Sequence, residues 1–237
     1  MIKVIPYQKN SSPTNKGDTT SFPRSYYTSS SLYNKFCMAE DTEDIILKYA
    51  APYCTRKTTL LDIGCGTGKY VNLLAPRCKK VIGVDPSEEQ LIFANHETSK
   101  KGHVNVQYVL GHAENLPLVS ESVDLILLTW VTLSPKRAFK EMHRVLRKEG
   151  LIVRVSPYAK DDLTALFPGL NLKLMKRKNR WFQNHRFTTT YKSIQIRFPS
   201  VRIARYILSR VVGSRGASVT QRTLKHSVVI QTYAKKA

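Results

Sequence analysis

The 237-residue sequence has few of the features that identify secreted, metal-binding or membrane-spanning proteins. Its four cysteines, Cys37, Cys54, Cys65 and Cys78, lie far apart, without a C-x-x-C pair or a neighbouring histidine. They therefore predict neither a zinc site nor a disulfide framework. No apolar stretch approaches the roughly 20 residues of a membrane-spanning helix, and the N-terminus lacks the layout of a secretory signal. Together these absences predict a cytoplasmic protein with reduced thiols and no bound metal.

Acidic residues are nearly absent from the C-terminal third of the chain. Residues 151–237 contain 18 Lys and Arg against 2 Asp and Glu, and no acid follows Asp162, whereas residues 1–150 are close to balance. The formal net charge of the whole chain is +21. Such an uneven distribution indicates a polyanion or an anionic surface as partner. A solvated surface that only maintains solubility is the alternative.

Apolar patterns predict alternating strands and helices after a Ser-rich leader of residues 1–31. A first helix is expected from Leu32 to Tyr53, and Ser87 with Gln90 forms a capping-box pattern. The alternation implies βαβ units, and the nearly continuous apolar runs are typical of strands covered on both faces. The sequence thus predicts an α/β fold, a doubly wound, mostly parallel sheet in one domain over residues 32–237. The predicted strands are residues 58–63, 80–85, 104–110, 123–129, 151–155, 187–198 and 225–233, and the later helices are 69–75, 87–100, 135–148 and 200–212.

The stretch LLDIGCGTGKY, residues 60–70, places three glycines at alternate positions after the first predicted strand. In a parallel sheet, ligands bind beyond the carboxyl ends of the strands, where this stretch lies. It is not a phosphate-binding P-loop, because Ile63 and Tyr70 replace the required glycine and hydroxyl residue. It also departs from the dinucleotide fingerprint, because Lys69 occupies the place of the third glycine.

The G-x-G-x-G spacing, with Asp62 before it and Asp85 ending the next strand, resembles the class I S-adenosylmethionine-dependent methyltransferases. The resemblance continues in order through VIGVDPS, GHAENLPL, VDLIL and EMHRVLRKEGLIV, and is greatest to the methyltransferase type 11, or ubiquinone/menaquinone-methyltransferase-like, branch. It implies a seven-stranded Rossmann-like sheet, S-adenosylmethionine as cofactor and methyl transfer as the reaction. It also implies a cofactor-binding core over residues 58–157 and a substrate-side part over residues 158–237.

The resemblance also implies roles for individual residues. Glycines let the backbone approach the cofactor closely and permit positive φ, and Asp85 accepts hydrogen bonds from the ribose hydroxyls. Asp62 pairs with the cofactor's ammonium group or satisfies loop amides. His112 stands where the family usually has the acid that accepts the adenine amino group, so His112, Glu114 or the Ala113 backbone takes that contact. The implied cofactor-binding residues are Asp62, Gly64, Gly66, Gly68, Asp85, Pro86, His112, Ala113, Glu114 and Thr129.

No catalytic residue follows from the sequence. Methyl transfer needs mainly orientation and exclusion of water, and a general base is required only when the acceptor is protonated. The candidates for the substrate cleft are Thr129 and Trp130 after the fourth strand and Tyr158 after the fifth. Trp130 either stacks on an acceptor ring or packs in the core. Asp161 and Asp162 are interpreted as first-turn helix acids in preference to bases.

Aromatic residues before and within the first predicted helix resemble the N-terminal lid that closes over the cofactor in relatives. They are Tyr26, Tyr27, Tyr33 and Phe36. Anchoring of the helix in the core is the alternative role.

The basic C-terminal third predicts RNA as the methyl acceptor, because Lys and Arg contact phosphates while aromatic side chains stack on bases. The alternatives are an enzyme of the same fold that methylates a small molecule, a lipid or a modified peptide, and a non-catalytic binding protein. The intact glycines and Asp85 disfavour the last. The predicted RNA contacts are Lys173, Lys176, Arg177, Lys178, Arg180, Arg202, Arg205 and Arg210.

Overall fold

The computed structural model describes residues 29–167 and 169–236 and shows one seven-stranded sheet with helices on both faces. The strand order is β3-β2-β1-β4-β5-β7-β6; β1 to β5 run parallel, and β7 is antiparallel to both of its neighbours. This confirms the predicted fold class. The strands are β1 (Thr59–Ile63), β2 (Lys80–Asp85), β3 (Val106–Leu110), β4 (Val123–Thr129), β5 (Leu146–Pro157), β6 (Thr188–Arg197) and β7 (Thr223–Ala234). The helices are α1 (Ser30–Ala39), α2 (Leu47–Ala50), α3 (Lys69–Leu74), α4 (Glu88–Lys100), α5 (Pro135–Val145), α6 (Leu172–Asn184), α7 (Val201–Val212) and α8 (Ser214–Ala217), with 3-10 turns at Ala51–Tyr53, Ala75–Arg77 and Thr164–Leu166.

Alternate residues of the central strands face two separate cores. Leu60 and Leu125 pack with α3 and α4 on one face, and Leu61 and Ile126 pack with α5 and α6 on the other. Because both faces of these strands are covered, their sequences are almost continuously apolar. None of the helices in the described ranges is long and apolar enough to cross a bilayer.

The predicted helix from Leu32 to Tyr53 is wrong in its middle. Helix α1 ends at Ala39, and Asp41 and Asp44 adopt left-handed conformations, with φ of 52° and 54°. The Asp41 carboxylate accepts hydrogen bonds from the amides of Ile45 and Ile46, both 2.8 Å long. Short acidic side chains that bond to nearby amides stabilise such turns in competition with a helix. Residues 1–28 of the predicted leader lie outside the described residues.

The predicted capping box at the start of α4 forms only in part. The Ser87 hydroxyl accepts a hydrogen bond from the Gln90 amide at 3.3 Å. The Ser87 amide, however, donates to Asp85 Oδ1 at 2.9 Å, and not to the Gln90 side chain. The Gln90 side chain is fully buried and takes no part in capping the helix.

The basic segment from Lys173 to Arg180 lies within α6, which the sequence analysis did not predict as a helix. The Asn171 side chain caps this helix by accepting a hydrogen bond from the Leu174 amide at 2.9 Å. Helix α6 packs through Phe182 on the face of the sheet that carries α5. Helix α7 packs with α1 and with Ile196 of β6 on the opposite face. The two basic helices of the C-terminal third are thus separated by the sheet.

Candidate active site

The glycine loop between β1 and α3 lies at the carboxyl edge of the sheet. Gly64, Gly66 and Gly68 have φ of 70°, 50° and 80°, in the left-handed region that favours glycine. A Cβ atom on Gly64 would lie 2.5 Å from Val131 Cγ2, and one on Gly68 would lie 2.5 Å from the Tyr108 hydroxyl. Both conformation and close packing therefore require glycine, and the loop after β4 contacts the glycine loop directly.

Two alanine substitutions separate conformational strain from packing. Gly102 has the same φ of 70° as Gly64, but a Cβ there would meet nothing within 4 Å. We expect Gly102→Ala to lower the free energy of unfolding by about 1 kcal/mol through left-handed strain. Gly64→Ala should cost ~1–3 kcal/mol more, because the new methyl group overpacks against Val131. Urea unfolding measures both values, and equal losses in the two variants would contradict the packing argument.

Asp85 ends β2 and holds the glycine loop in place. Its Oδ2 accepts a hydrogen bond from the Gly66 amide and its Oδ1 accepts one from the Ser87 amide, both 2.9 Å long. Burial raises the pKa of the Asp85 carboxyl above its usual value, although these amides and the nearby His112 partly offset this. Each carboxylate oxygen can accept a second hydrogen bond. Asp85 can therefore bind a ligand hydroxyl without releasing the loop.

Buried polar atoms without hydrogen-bond partners mark the same edge of the sheet. Within the part of the chain that the structure describes, these atoms belong to four side chains: Asp62, Tyr70, Gln90 and Trp130, of which Trp130 still lies close enough to the Glu40 carboxyl to lower its pKa. The four lie at the end of β1, in the first turn of α3, in the first turn of α4 and in the loop after β4. Unpaired buried polar groups are costly and rare. Their arrangement around the glycine loop indicates a crevice built for a polar ligand.

Asp62 contributes negative charge to this crevice. It is 1% exposed, and burial raises the pKa of its carboxyl well above the ordinary value, with the charge of Asp85 raising it further. A cationic ligand group would restore the ionised form of both acids. The crevice therefore favours a ligand that carries positive charge as well as hydroxyl groups.

The three residues predicted to contact adenine have different environments. The Glu114 carboxylate accepts a hydrogen bond from the Ser134 amide at 2.6 Å, at the start of α5. Ala113 is buried in the core. His112 is half-buried and close enough to Asp85 to lower its pKa. Which of them contacts adenine stays a prediction, as do the roles of the exposed Pro86 and of Thr129, which is buried at the end of β4.

A narrow pocket of about 20 Å³ lies beside the crevice, and Trp130 belongs to both. Its wall includes Phe36, Glu40 and Pro157 as well as His226 of β7. The Trp130 ring centroid lies 5.1 Å from that of His226, and Trp130 has a positive φ of 62°. The structure thus places Trp130 in packing contact at the pocket, while stacking on an acceptor stays a prediction.

Two titratable groups in this pocket were not found by the sequence analysis. Burial raises the pKa of the Glu40 carboxyl to about 7; Lys69 partly offsets this and Asp41 adds to it. His226 is 1% exposed, and its Nδ1 lies 3.1 Å from Asp161 Oδ2. No local sequence signal marks either residue, because α1, β5 and β7 meet here only through the fold.

The prediction that Asp161 lies in the first turn of a helix is wrong. Asp161 precedes the 3-10 turn at Thr164–Leu166. Its Oδ1 accepts a hydrogen bond from the Thr164 amide at 2.8 Å, and its Oδ2 accepts one from the Ser227 amide. Burial alone would raise the pKa of the Asp161 carboxyl, but His226 and these amides hold it below its usual value. Asp162 is also outside the turn and accepts a hydrogen bond from the Lys225 amide at 2.9 Å.

Helix α1 is attached to the glycine loop. Lys69 Nζ donates to the carbonyl of Cys37 at 2.9 Å and also to that of Glu40. Tyr33 lies over the loop, because a Cβ on Gly66 would be 3.3 Å from Tyr33 Cε1. Phe36 is fully buried in the core, whereas Tyr26 and Tyr27 lie outside the described residues. Of the predicted lid, the structure therefore places Tyr33 against the crevice.

Tyr158, the third cleft candidate, lies on the other side of the end of β5. It lines a groove beside α6, and its ring centroid is 4.8 Å from that of Tyr191. Trp130 lines the narrow pocket and Thr129 is buried at the end of β4, so the structure does not bring the three candidates together. In the described ranges, no group of three His, Cys, Asp or Glu residues could hold a metal ion.

Comparisons with known proteins agree with this geometry. Residues 61–154 match the family described as a methyltransferase domain. The chain is 30% identical over 134 residues to the uncharacterized methyltransferase YcgJ of Bacillus subtilis, covering 55% of this chain and 53% of that protein. It is 26% identical over 146 residues to the ubiquinone/menaquinone biosynthesis C-methyltransferase UbiE of Campylobacter jejuni, covering 52% of this chain and 60% of that protein. The chain thus spans about half the length of these relatives.

Solved structures share the fold. The crystal structure of YcgJ from Bacillus subtilis gives a TM-score of 0.60 at 18% identity, covering 86% of this chain and 99% of that one. An S-adenosylmethionine-dependent methyltransferase from Aquifex aeolicus gives 0.58 at 16% identity, covering 86% and 97%. The glycine loop, the strand order and the family match agree, and residues 61–154 of the chain match a methyltransferase domain.

Proposed function

We propose that this chain transfers a methyl group from S-adenosylmethionine to RNA or to an RNA-bound target. The methyltransferase part of this proposal rests on one observation. Unpaired polar side chains surround the glycine loop, next to Asp85, which accepts a hydrogen bond from that loop. When bound, this cofactor supplies an electrophilic methyl group on a sulfonium. Its positive charges and ribose hydroxyls match two buried carboxyls with raised pKa, Asp62 and Asp85.

In this proposal, the chain's own residues bind and orient the cofactor and exclude water from it. Asp85 accepts hydrogen bonds from the ribose hydroxyls, and Asp62 is the acceptor for the ammonium group. Tyr33 packs on Gly66 of the glycine loop, which lines the crevice. Since displacement at a methyl carbon depends chiefly on alignment of donor and acceptor, such positioning supplies most of the catalysis.

Proton transfer is available where the acceptor requires it. Glu40 and His226 both face the pocket beside Trp130, and His226 is held by Asp161. A carboxyl with a pKa of about 7 can take a proton near neutral pH. An acceptor that is already unprotonated would need neither residue.

The excess of 18 basic over 2 acidic residues in the last 87 positions supports RNA as the acceptor. A small-molecule or lipid acceptor is the second candidate, because the pocket beside the crevice is narrow and mostly apolar. One relative, UbiE, is named for quinone biosynthesis. A protein that binds no cofactor would leave the polar atoms of the crevice unpaired. Cytoplasmic location stays a prediction.

Incubation with isotope-labelled S-adenosylmethionine and a cell extract tests the proposal. We expect the purified protein to bind the cofactor well below millimolar concentration by calorimetry and to transfer label to the RNA fraction. Label in the small-molecule or lipid fraction would favour the second candidate. A folded protein that does not bind the cofactor even at millimolar concentration would contradict methyltransferase function altogether.

A further inference from the structure

A groove of about 450 Å³ lies between α6 and β6, outside the cofactor crevice. Its wall from α6 includes Lys176, Arg180 and Gln183, and its wall from the sheet includes Tyr158 and Tyr191. The volume is within the range of pockets that hold small molecules. The groove has room for a nucleotide unit and is too small for a duplex.

Two exposed cations line one side of the groove. Lys176 and Arg180 are four residues apart on α6 and therefore project from the same side of the helix. Neither forms an ion pair or a side-chain hydrogen bond with any residue in the described ranges. Both side chains are thus free to bind an anion.

A third cation lies buried beneath the groove. Arg154 is 3% exposed, and its guanidinium donates to Asn179 Oδ1 at 2.8 Å and to Gln231 Oε1 at 2.6 Å. These two amide side chains also line the groove. Burial lowers the pKa of Arg154 to about 9, which leaves it charged at neutral pH. The groups that Arg154 contacts in the described part of the chain are neutral, including the Phe182 ring at 4.4 Å.

A buried charge without a counter-ion is unfavourable unless something compensates it. Since Asn179 and Gln231 separate Arg154 from the groove, an anion there would interact with the buried charge across one layer of amides. Lys176 and Arg180 would add to the same positive field. The groove is therefore electrostatically prepared for phosphate.

Aromatic rings complete the groove. The Tyr158 and Tyr191 ring centroids are 4.8 Å apart, and Tyr191 is 56% exposed. Exposed tyrosines beside cations are typical of surfaces on which unpaired bases stack. Tyr158 directly follows Pro157, which lines the narrow pocket beside the cofactor crevice. The groove and that pocket therefore lie on opposite sides of the end of β5.

We infer that this groove binds single-stranded RNA, with phosphate held by Lys176 and Arg180 and a base stacked on Tyr191. The inference rests on the proposed function and identifies which of two basic surfaces takes the acceptor. The strand then runs past Tyr158 toward the narrow pocket at the crevice. The sheet separates this surface from α7.

The arginines of α7 have local roles instead. Arg205 Nε donates to the Val219 carbonyl at 2.8 Å. Arg210 donates to the Tyr206 carbonyl at 3.1 Å and lies over the Tyr206 ring at 3.9 Å. Of the eight predicted RNA contacts, we therefore retain those of α6. Arg202, Arg205 and Arg210 instead contribute to local structure or to solubility.

Fluorescence anisotropy with a short fluorescein-labelled single-stranded RNA tests the groove. We expect the double variant Lys176→Gln/Arg180→Gln to bind about 10-fold or more weakly than the unchanged chain. The slope of log Kd against log salt should fall by about 1.4, for two lost phosphate contacts. The matched control Arg202→Gln/Arg210→Gln removes the same charge from α7 and should stay within about 2-fold.

A second variant tests the stacking contact. Tyr191→Ala changes an exposed side chain, so the fold should tolerate it, and it should weaken RNA binding about 10-fold without changing the salt slope. Equal losses in the two double variants, or no loss in Tyr191→Ala, would overturn the inference. Preferential binding of duplex RNA or of anionic lipid vesicles would do the same.

Cofactor binding separates failure of this inference from failure of the proposed function. Calorimetry with S-adenosylmethionine should give the same Kd for all three variants and the unchanged chain. If the cofactor binds and RNA is methylated while the groove variants bind RNA normally, the acceptor site lies elsewhere and the inference is wrong. If the groove binds RNA but the cofactor does not bind, the methyltransferase proposal is wrong.

Discussion

Asp85→Ala is expected to lower the affinity for S-adenosylmethionine at least about 100-fold. Asp85 is 6% exposed and anchors the Gly66 amide at 2.9 Å. Its loss would remove the acceptor for the ribose hydroxyls and also release the glycine loop. Hydrogen bonds to a charged group contribute ~1.5–3 kcal/mol each, and two of them correspond to two or more orders of magnitude in Kd.

Asp124→Ala is the matched control for this loss of affinity. The Asp124 carboxylate also accepts a hydrogen bond from a strand amide, that of Thr59 at 2.7 Å, and pairs with Arg147 at 2.8 Å. It lies at the opposite, amino edge of the sheet, near the start of β4. Calorimetry should show nearly unchanged cofactor affinity for Asp124→Ala. Equal affinities for Asp85→Ala and the unchanged chain would mean that the ribose binds elsewhere.

Glu40→Gln is expected to change how stability depends on pH. Burial raises the pKa of Glu40 from 4.5 to about 7, so between these values the folded protein holds a proton that the unfolded chain has lost. The free energy of unfolding therefore falls as pH rises through this window and levels off above it. A shift of this size corresponds to roughly 3 kcal/mol.

The glutamine variant cannot ionise and should lack this contribution. Urea unfolding at several pH values should show that Glu40→Gln gains stability relative to the unchanged chain as pH rises from about 4.5 to 7. Buried Asp41, Asp62 and Asp85 also have raised pKa values, so only the difference between variant and unchanged chain isolates Glu40. Glu43→Gln, at an exposed position, is the control. Parallel curves for Glu40→Gln and the unchanged chain would contradict the raised pKa of Glu40.

Much of the sheet was predictable because strands covered on both faces have a continuous apolar pattern. β2 and β4 begin and end as predicted, at Lys80–Asp85 and Val123–Thr129. Prediction failed where local hydrogen bonds compete with periodicity, as at Asp41, or where a bulge extends a strand. β5 begins at Leu146, inside the helix predicted over residues 135–148, because Glu149 turns at a φ of 62°.

Some residues of the candidate site were predictable from local sequence, and others were not. The glycine loop and Asp85 are close in sequence to the strands that place them, so the motif predicted their meeting. Glu40, Asp161 and His226 come from three distant segments, and the pattern around each is unremarkable. Only tertiary packing brings Glu40 and His226 to one pocket and places Asp161 against His226.

By itself, the sequence determined the order of the strands, the glycine loop with its acids, and the excess of positive charge in the last third. Hydrophobic periodicity and backbone geometry depend on residues that are close in sequence, so a sequence motif can predict them. The tertiary structure alone decided which acids are buried, that α6 and α7 lie on opposite faces, and that Arg154 is buried beneath a groove. Burial and proximity depend on chain segments that are far apart in sequence. The number of charged residues therefore does not predict which of them lie on opposite faces of the sheet.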